Sequence, residues 1–223
     1  AGGDGTLRQE HLAKTVIDSR GISRIAISPA ENAYAYYEEG GQTPGDIYFR
    51  EVGSDENVRL TDRLNPAIDP EDLVEPEVVR FASYDGVEIP GILYKPKQAT
   101  ERNKVPALVW VHGGPGGQTR ADWSALIQYL VNRGYAVYGI NNRGSSGYGK
   151  TFFAMDDLKH GSADLDDCVA SKQMRIDTGW VDPVSGSSAG VTADTWCARR
   201  WPSGQARSKS ASISSGSRTG CAR

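Results

Sequence analysis

Between residues 21 and 62, short runs of apolar residues alternate with turn-forming residues. The predicted strands are residues 22–27, Ala33–Glu38, Asp46–Val52 and Asn57–Thr61. Glycines at positions 40, 41 and 53 provide turns between them. Four strands in about 40 residues are typical of one blade of a β-propeller, and equally of any antiparallel meander.

Two different segments follow these strands. Residues 63–76 contain three prolines and four acidic residues, which predicts a linker. Val78–Tyr84 and Val87–Lys95 then flank the dipeptide Asp85-Gly86. Because Asp-Gly favours the primed turns that hairpins use, these residues predict a β-hairpin.

Strand and helix patterns alternate from residue 105 onward. Val105–Val111 and Tyr135–Ile140 are continuous apolar runs, as expected of buried strands. The helix predicted between them spans residues 122–133 and stops at Gly134. Its apolar positions are Trp123, Leu126, Ile127 and Leu130.

A second helix is predicted to begin at Ser162, whose hydroxyl is a suitable N-cap. The acidic residues near its positive end are Asp164, Asp166 and Asp167. The apolar residues expected on one face are Leu165, Cys168, Val169 and Ile176. The order strand, helix, strand, helix implies a parallel α/β sheet.

The composition is ordinary for a globular protein. Apolar residues make up 38% and charged residues 24% of the 223 positions, and the net charge is −3. That charge favours neither nucleic acid nor an anionic membrane as a partner. No apolar run approaches the roughly 18 residues needed to span a bilayer.

The cysteines indicate the cellular compartment, and the first residues indicate whether the N-terminus has been cleaved. Cys168, Cys197 and Cys221 make neither a disulfide framework nor a metal-ligand spacing, so a reducing cytoplasm is the expected compartment. No metal or organic cofactor is implied. The start at Ala1 has neither an initiator Met nor the pattern of a signal peptide, so we expect a cut N-terminus.

The segment Val184–Arg223 has a different composition from the rest of the chain. It contains no Leu, Phe, Tyr or Glu, and has one acidic residue, Asp194, against six Lys and Arg. Such a segment buries too little apolar surface to offset the entropy lost on ordering. We therefore predict a disordered C-terminal tail.

The first motif with chemical meaning is the run of residues 112–117, His-Gly-Gly-Pro-Gly-Gly, directly after the Val105–Val111 strand. Glycines allow backbone N–H groups to approach a ligand closely. A phosphate cradle would need a Lys-Ser/Thr pair at the helix start, which is missing. A phosphate cradle, a plain turn and an oxyanion loop are the competing interpretations, and the position after an early strand favours the oxyanion loop. His112 alone is more typical of a structural residue than of a catalytic one.

The second motif is Asn142–Gly149, Asn-Arg-Gly-Ser-Ser-Gly-Tyr-Gly, which follows the Tyr135–Ile140 strand. It matches no phosphate loop. We interpret it as a structural loop held by Arg143, in which Tyr148 is the one side chain placed to face a pocket.

Together these segments resemble the early catalytic domain of prolyl oligopeptidase-family serine peptidases, in the branch of acylaminoacyl-peptidases and dipeptidyl aminopeptidases. The motifs that carry the resemblance are Val111–Pro115, Asn142–Gly149, Asp164–Asp167 and Gly179–Pro183. The resemblance covers roughly residues 20–183. It implies that a backbone N–H of Gly113 or Gly114 helps to hold the oxyanion, and that short peptides are the substrates.

The resemblance also implies a domain order. Residues 1–62 would be the C-terminal blade of a β-propeller and residues 63–76 a linker. Residues 77–183 would be the first part of an α/β-hydrolase domain, followed by the disordered tail of residues 184–223. The expected fold class is therefore α/β, with a partial hydrolase domain after the end of a propeller.

The resemblance stops where the nucleophile is expected. Members of the family reach an elbow of the type Gly-Gly-Ser-Tyr-Gly-Gly soon after the equivalent of Pro183. Here Gly186–Gly190 satisfies G-x-S-x-G with Ser188 at its centre, but the flanking residues make a poor strand and a poor helix. The triad order also needs a later histidine. The histidines of the sequence are His11, His112 and His160. We therefore interpret Ser188 as a decoy.

We hypothesise a small insertion or deletion near codons 183–185, which would shift the reading frame and account for this break. Ser187–Trp196 can be encoded by DNA that, read from the third base, gives Ile-Gly-Gly-Ser-Tyr-Gly-Gly-His-Met. This is the elbow of the family. A chain truncated in this way loses the central strand of its sheet, so we expect marginal folding because the remaining edge is open.

The resemblance thus implies a serine-type peptidase that hydrolyses peptide bonds in oligopeptides, inactive as written because the Ser-Asp-His triad is absent. Two alternatives stay open. One is a small serine esterase that uses Ser188. The other is a non-enzymatic binding module built on the propeller-type strands.

Overall fold

The computed structural model describes residues 21–114, 116–159 and 161–183. The predicted tail, Ser188 and two of the histidines, His11 and His160, lie outside these residues. The chain divides into two compact units. The first comprises Ala1–Glu77 and Ala121–Asn132, and the second Val78–Arg120 and Arg133–Arg223.

The first unit contains an antiparallel sheet of four strands in the order β1-β2-β3-β4. The strands are β1 (Gly21–Ile27), β2 (Ala33–Gly40), β3 (Thr43–Glu51) and β4 (Val58–Arg59). All four predicted strands are therefore present, joined by short turns. On one face, the rings of Tyr36 and Tyr48 stack with centroids 5.6 Å apart.

Strand β4 is shorter than the predicted Asn57–Thr61. The reason lies in Asp46, whose fully buried carboxylate accepts hydrogen bonds from the Thr61 hydroxyl at 2.8 Å and the Arg63 amide at 3.1 Å. The Thr61 hydroxyl oxygen in turn accepts from the Ile47 amide at 2.9 Å. One backbone bond beyond β4 remains, from Leu60 N–H to Ile47 O at 2.8 Å, and the side-chain bonds of Asp46 and Thr61 hold the residues that follow.

The first unit also holds the segment predicted as a linker and one helix. The linker contains a short 3-10 helix, Pro70–Asp72, whose Glu71 amide is capped by the Asp69 side chain. Helix α1 spans Ala125–Asn132 and buries Ile127, Gln128 and Val131. The prediction was wrong on two details, since Trp123 precedes the helix and the Leu126 side chain is 41% exposed.

Gln128 explains part of this difference, because a polar residue occupies the buried face of α1. Its side-chain oxygen accepts from the Val74 amide at 3.0 Å. Its amide nitrogen donates to the carbonyl oxygens of Val74 and Gly41, each at 2.8 Å. Gln128 thus satisfies three backbone groups that would otherwise be buried without a partner.

The second unit contains a sheet in the order β5-β6-β8-β7. Its strands are β5 (Glu77–Ala82), β6 (Glu88–Tyr94), β7 (Ala107–Val111) and β8 (Ala136–Ile140). The predicted hairpin is confirmed at the turn, where Ser83 N–H donates to Val87 O at 2.8 Å and Gly86 has a φ of +84°. Strands β7 and β8 are parallel as predicted, but β6 runs antiparallel to β8, so the sheet is mixed.

Two helices follow β8, namely α2 (Lys150–Ala154) and α3 (Ala163–Asp177). The prediction for α3 needs two corrections. The Ser162 hydroxyl does not cap it but donates to Lys159 O, and the Asp164 carboxylate accepts the Gly161 and Leu165 amides instead. Val169 is 46% exposed rather than part of the buried face. The buried side chains of α3 are Ala163, Asp164, Asp167, Cys168, Ser171 and Arg175.

After α3 the chain returns to the sheet beside β7. Val181 forms a parallel bridge with Val105, through Val105 N–H to Trp180 O at 3.0 Å and Asp182 N–H to Val105 O at 2.9 Å. Both valines are buried in the apolar core of this unit. The chain at Val181 therefore lies beside Val105, two positions before β7 begins, and runs parallel to it. Among the described residues, no helix has the length and apolarity needed to cross a membrane.

Candidate functional site

The glycine turn begins where β7 ends. Val111 is the last residue of the strand and is buried, His112 and Gly113 are half-buried, and Gly114 is exposed with a φ of +59°. Gly117 N–H donates to Gly114 O at 2.7 Å and closes the turn. Within the described part of the chain, the amides of Gly113 and Gly114 donate no hydrogen bond. Such amides at the end of a strand can bind a negatively charged oxygen.

The close packing of the turn requires glycine at position 117. A Cβ atom there would lie 2.4 Å from Gly113 O and 2.8 Å from His112 Nδ1. Both distances are too short for non-bonded atoms, so a side chain at this position would force the turn open. Glycine is therefore required at position 117 by close packing within the turn, in addition to any need for a ligand to approach the backbone.

His112 is half-buried, and its ring is bound to the loop after β8. Its Nε2 lies 2.8 Å from the hydroxyl oxygen of Ser145, which is fully buried. The Ser145 hydroxyl donates in turn to Asn142 O at 2.6 Å. Burial lowers the pKa of His112, because the charged imidazolium loses hydration there. Through the hydrogen bond between its Nε2 and Ser145, the His112 ring connects the glycine turn to the loop after β8.

Arg143 is buried and lies at the centre of an ion network with Asp85 and Asp167. Its Nε and Nη2 donate to the two carboxylate oxygens of Asp167 at 2.9 and 2.7 Å. Its Nη1 and Nη2 donate to Asp85 at 2.7 and 2.9 Å. Asp167 also accepts from the Ser83 hydroxyl at 2.6 Å. The two carboxylates raise the pKa of Arg143, and the bonds from Arg143 lower the pKa of Asp85 to about 2.

Tyr148 is half-buried beside the ring of Phe152, with the ring centroids 5.4 Å apart. Its hydroxyl oxygen accepts from Asn141 Nδ2 at 2.7 Å. The Asn141 side chain also pairs with both backbone groups of Thr119, at 2.7 and 2.9 Å. Because the Tyr148 oxygen accepts this bond, its own proton remains able to donate to a further group.

Sequence reasoning singled out Gly113, Gly114, His112, Arg143 and Tyr148 but missed the residues that hold them. The missed residues are Asp85, Asn141, Ser145 and Asp167. The sequence could have indicated that Arg143 has an acidic partner, because an arginine directly after a buried strand needs one. The cluster on α3 offered three candidates, and only the fold selects Asp167.

The described residues contain no assembled Ser-His-Asp triad, since His112 is the one histidine within them and is bound to Ser145. They also contain no group of His, Cys, Asp or Glu side chains that could hold a metal ion. What the described site offers is a pair of backbone donors on a supported turn.

Comparison with known proteins shows which family this chain resembles. Residues 121–203 match the prolyl oligopeptidase family, a match that continues past Pro183 and includes Gly186–Gly190. An uncharacterized peptidase of Bacillus subtilis, YuxL, is 29% identical over 180 residues, which are 78% of this chain and 27% of that protein. Dipeptidyl aminopeptidase BIII of Pseudoxanthomonas mexicana is 33% identical over 136 residues, 57% of this chain and 18% of that protein.

Solved structures show the same relationship at the level of the fold. A puromycin-hydrolyzing peptidase of Mycobacterium tuberculosis superposes with a TM-score of 0.65 at 24% identity. The superposition covers 72% of this chain and 25% of that one. The chain thus spans only a minor part of the length of each protein that it resembles.

Proposed function

We propose that this chain, a relative of the prolyl oligopeptidase family of serine peptidases, carries the oxyanion loop of a peptide hydrolase at Gly113-Gly114. The observation that carries the proposal is the supported turn after β7, whose two amides have no hydrogen-bond acceptor in the described residues. In an acyl transfer, such donors stabilise the negative charge on the carbonyl oxygen. Loss of one oxyanion donor typically costs about 3–4 kcal/mol of transition-state stabilisation.

The architecture supports this role for the second unit. The glycine turn lies at the carboxyl end of β7, and the stretch after α3 starts parallel to β7 at Val181. In an α/β-hydrolase, an oxyanion loop follows an early strand and the nucleophile sits on a turn after a later one. We infer that residues 77–183 form the first part of such a domain.

The four-stranded sheet of β1–β4 supports a second architectural proposal. Its antiparallel order and short turns are those of a propeller blade. Apolar side chains on both faces remain exposed, among them Ile25, Ile27, Ile47 and Val58. A blade within a propeller has neighbours on both faces, so these side chains are the ones that a neighbouring blade would cover. We infer that residues 1–62 are the last blade and residues 63–76 the linker.

In the complete reaction, a serine would attack the peptide carbonyl, a histidine would transfer its proton to the leaving amine, and an aspartate would orient the histidine. We infer that short peptides are the substrates. The 223 residues supply the oxyanion loop but place no histidine after Ser188. We therefore propose that the chain as written does not hydrolyse peptides.

Two measurements test this proposal. The first is hydrolysis of dipeptide and acylated amino-acid p-nitroanilides by the purified chain, where we expect no turnover above buffer. The second is the DNA sequence across codons 175–195 and beyond. A continuous frame that encodes Gly-Gly-Ser-Tyr-Gly-Gly and a later histidine would make the natural product an active peptidase. Codons incompatible with that elbow would exclude the shifted frame.

One observation favours an esterase that uses Ser188 as a second candidate. The match to the family includes Gly186–Gly190, where the G-x-S-x-G pattern occurs. Labelling by a fluorophosphonate, lost in Ser188→Ala and retained in Ser187→Ala, would establish this activity. Absence of labelling in the wild-type chain would eliminate it.

A further inference from the structure

We propose that Ser145 and His112 form a clamp that fixes the orientation of the Gly113-Gly114 turn, which makes both of them positioning residues. The clamp is a chain of two hydrogen bonds. His112 Nε2 lies 2.8 Å from Ser145 Oγ, and Ser145 Oγ lies 2.6 Å from Asn142 O. Its value for catalysis rests on the proposed oxyanion role, whereas its effect on the turn does not.

The available donors set the direction of both bonds. The carbonyl oxygen of Asn142 only accepts, so the single hydroxyl proton of Ser145 is donated to it. The Ser145 oxygen then accepts from His112, which puts the imidazole proton on Nε2. The other ring nitrogen, Nδ1, lies 3.4 Å from Gly113 O, and this longer contact competes for the proton less well than the 2.8 Å bond at Nε2.

The clamp acts at one end of the turn, and a second contact acts at the other. His112 directly precedes Gly113, so its fixed ring restrains the first peptide plane of the turn. At the far end, Ser146 N–H donates to Gly117 O at 2.9 Å. Both ends are thus attached to the same loop after β8.

Between these two attachments, Gly113 and Gly114 have no side chains that could pack and hold their peptide planes. Their amides are also unbonded within the described residues. An oxyanion site is effective only when its donors are oriented before charge develops. We infer that the clamp supplies this orientation, and that loss of the Ser145 hydroxyl frees the turn.

The test is backbone 15N relaxation of Gly113 and Gly114 in the full chain. Ser145→Ala removes the clamp. Ser171→Ala is the matched control, because Ser171 is equally buried and its hydroxyl also donates to the carbonyl three residues earlier, at 2.7 Å. We expect order parameters near 0.85 in the wild type and in Ser171→Ala, and below about 0.6 in Ser145→Ala.

Substitutions of His112 provide a second, independent comparison. The amide nitrogen of Gln can replace the Nε2 donor, so His112→Gln should keep the turn ordered and His112→Ala should not. The 15N shifts of the His112 ring should show the proton on Nε2 in the wild type. The two His112 variants test the clamp even if Ser145→Ala does not fold.

A turn that is mobile in the wild type overturns the proposal, as does a turn that stays ordered in both Ser145→Ala and His112→Ala. None of these measurements involves peptide hydrolysis. A result against the clamp would therefore not contradict the peptidase proposal. An absence of peptidase activity would likewise not contradict the clamp.

Discussion

The guanidinium of Arg143 and the carboxylate of Asp167 face each other in a two-point hydrogen-bonded pair, at 2.9 and 2.7 Å. Arg143 comes from the loop after β8 and Asp167 from α3, and both are buried. The Arg143 amide also donates to the same carboxylate at 2.9 Å. This pair attaches the loop that carries Ser145 and Tyr148 to the first turns of α3.

Arg143→Met should therefore destabilise the protein by about 3–5 kcal/mol, because it leaves the buried Asp167 carboxylate without its cation. The measurement is the free energy of unfolding in urea. The matched variant is Arg175→Met. Arg175 is 2% exposed, and its Nη1 and Nη2 have no partner in the described residues.

Burial lowers the pKa of Arg175 to about 10, because the charged guanidinium loses hydration when the chain folds. Folding therefore disfavours the charged form of Arg175. Arg175→Met should leave stability unchanged or increase it, since a well-packed apolar group replaces an uncompensated cation. Equal losses in the two variants would show that the charge pairing described here does not determine stability.

The second prediction concerns the pH dependence of stability and Asp85. The bonds from Arg143 lower the pKa of Asp85 to about 2, below the ordinary value of about 3.9. The folded state therefore binds the proton less readily than the unfolded state. This contribution is fully present above pH 4 and is lost as the pH falls from about 4 to 2.

Asp85→Asn should flatten the dependence of the unfolding free energy on pH in that window. The Asp85 side chain is 35% exposed, so solvent screening reduces the size of the effect. Glu88 is a suitable control acid, since it forms an exposed pair with Arg80 at 2.8 Å. A profile as steep in Asp85→Asn as in the wild type would rule out this assignment.

The third prediction is that Gly117→Ala deforms the glycine turn. The new Cβ would lie 2.4 Å from Gly113 O, and the backbone cannot yield without opening the turn. Gly116→Ala is the control, because its Cβ would meet only the Phe153 ring, which is 46% exposed and free to rotate away. Amide shifts of Gly113 and Gly114 should move in the first variant and stay in place in the second.

The fourth prediction concerns Gln128 in the first unit. Gln128→Leu leaves the Val74 amide and the carbonyls of Val74 and Gly41 without this partner. Each buried unsatisfied group costs about 1–3 kcal/mol, so the melting temperature should fall by several degrees. Gln173→Leu, at an exposed site where the side chain donates to Asp177, should have little effect. A Gln128 variant as stable as the wild type would contradict the prediction.

Hydrophobic periodicity predicted most of the elements, because a strand or a helix must bury one apolar face. Alternating apolar runs and turns indicated the four strands of the first unit, and continuous apolar runs indicated β7 and β8. The Asp85-Gly86 dipeptide indicated the hairpin. The errors concern which side chains are buried, since Leu126 and Val169 are exposed while polar residues occupy buried positions on the same helices. Gln128 on α1 and Asp167 on α3 are buried because distant groups satisfy them, and local periodicity contains no information about such partners.

The sequence by itself determined the glycine turn and its place after a buried strand, since glycine spacing and apolar runs are local properties. Tertiary structure alone decided what supports the turn. Ser145 lies 33 positions from His112, and Asp85 lies 58 positions from Arg143. The strands and helices that carry these residues pack together only in the folded chain. Packing therefore decides which hydroxyl binds the imidazole and which carboxylate binds the guanidinium.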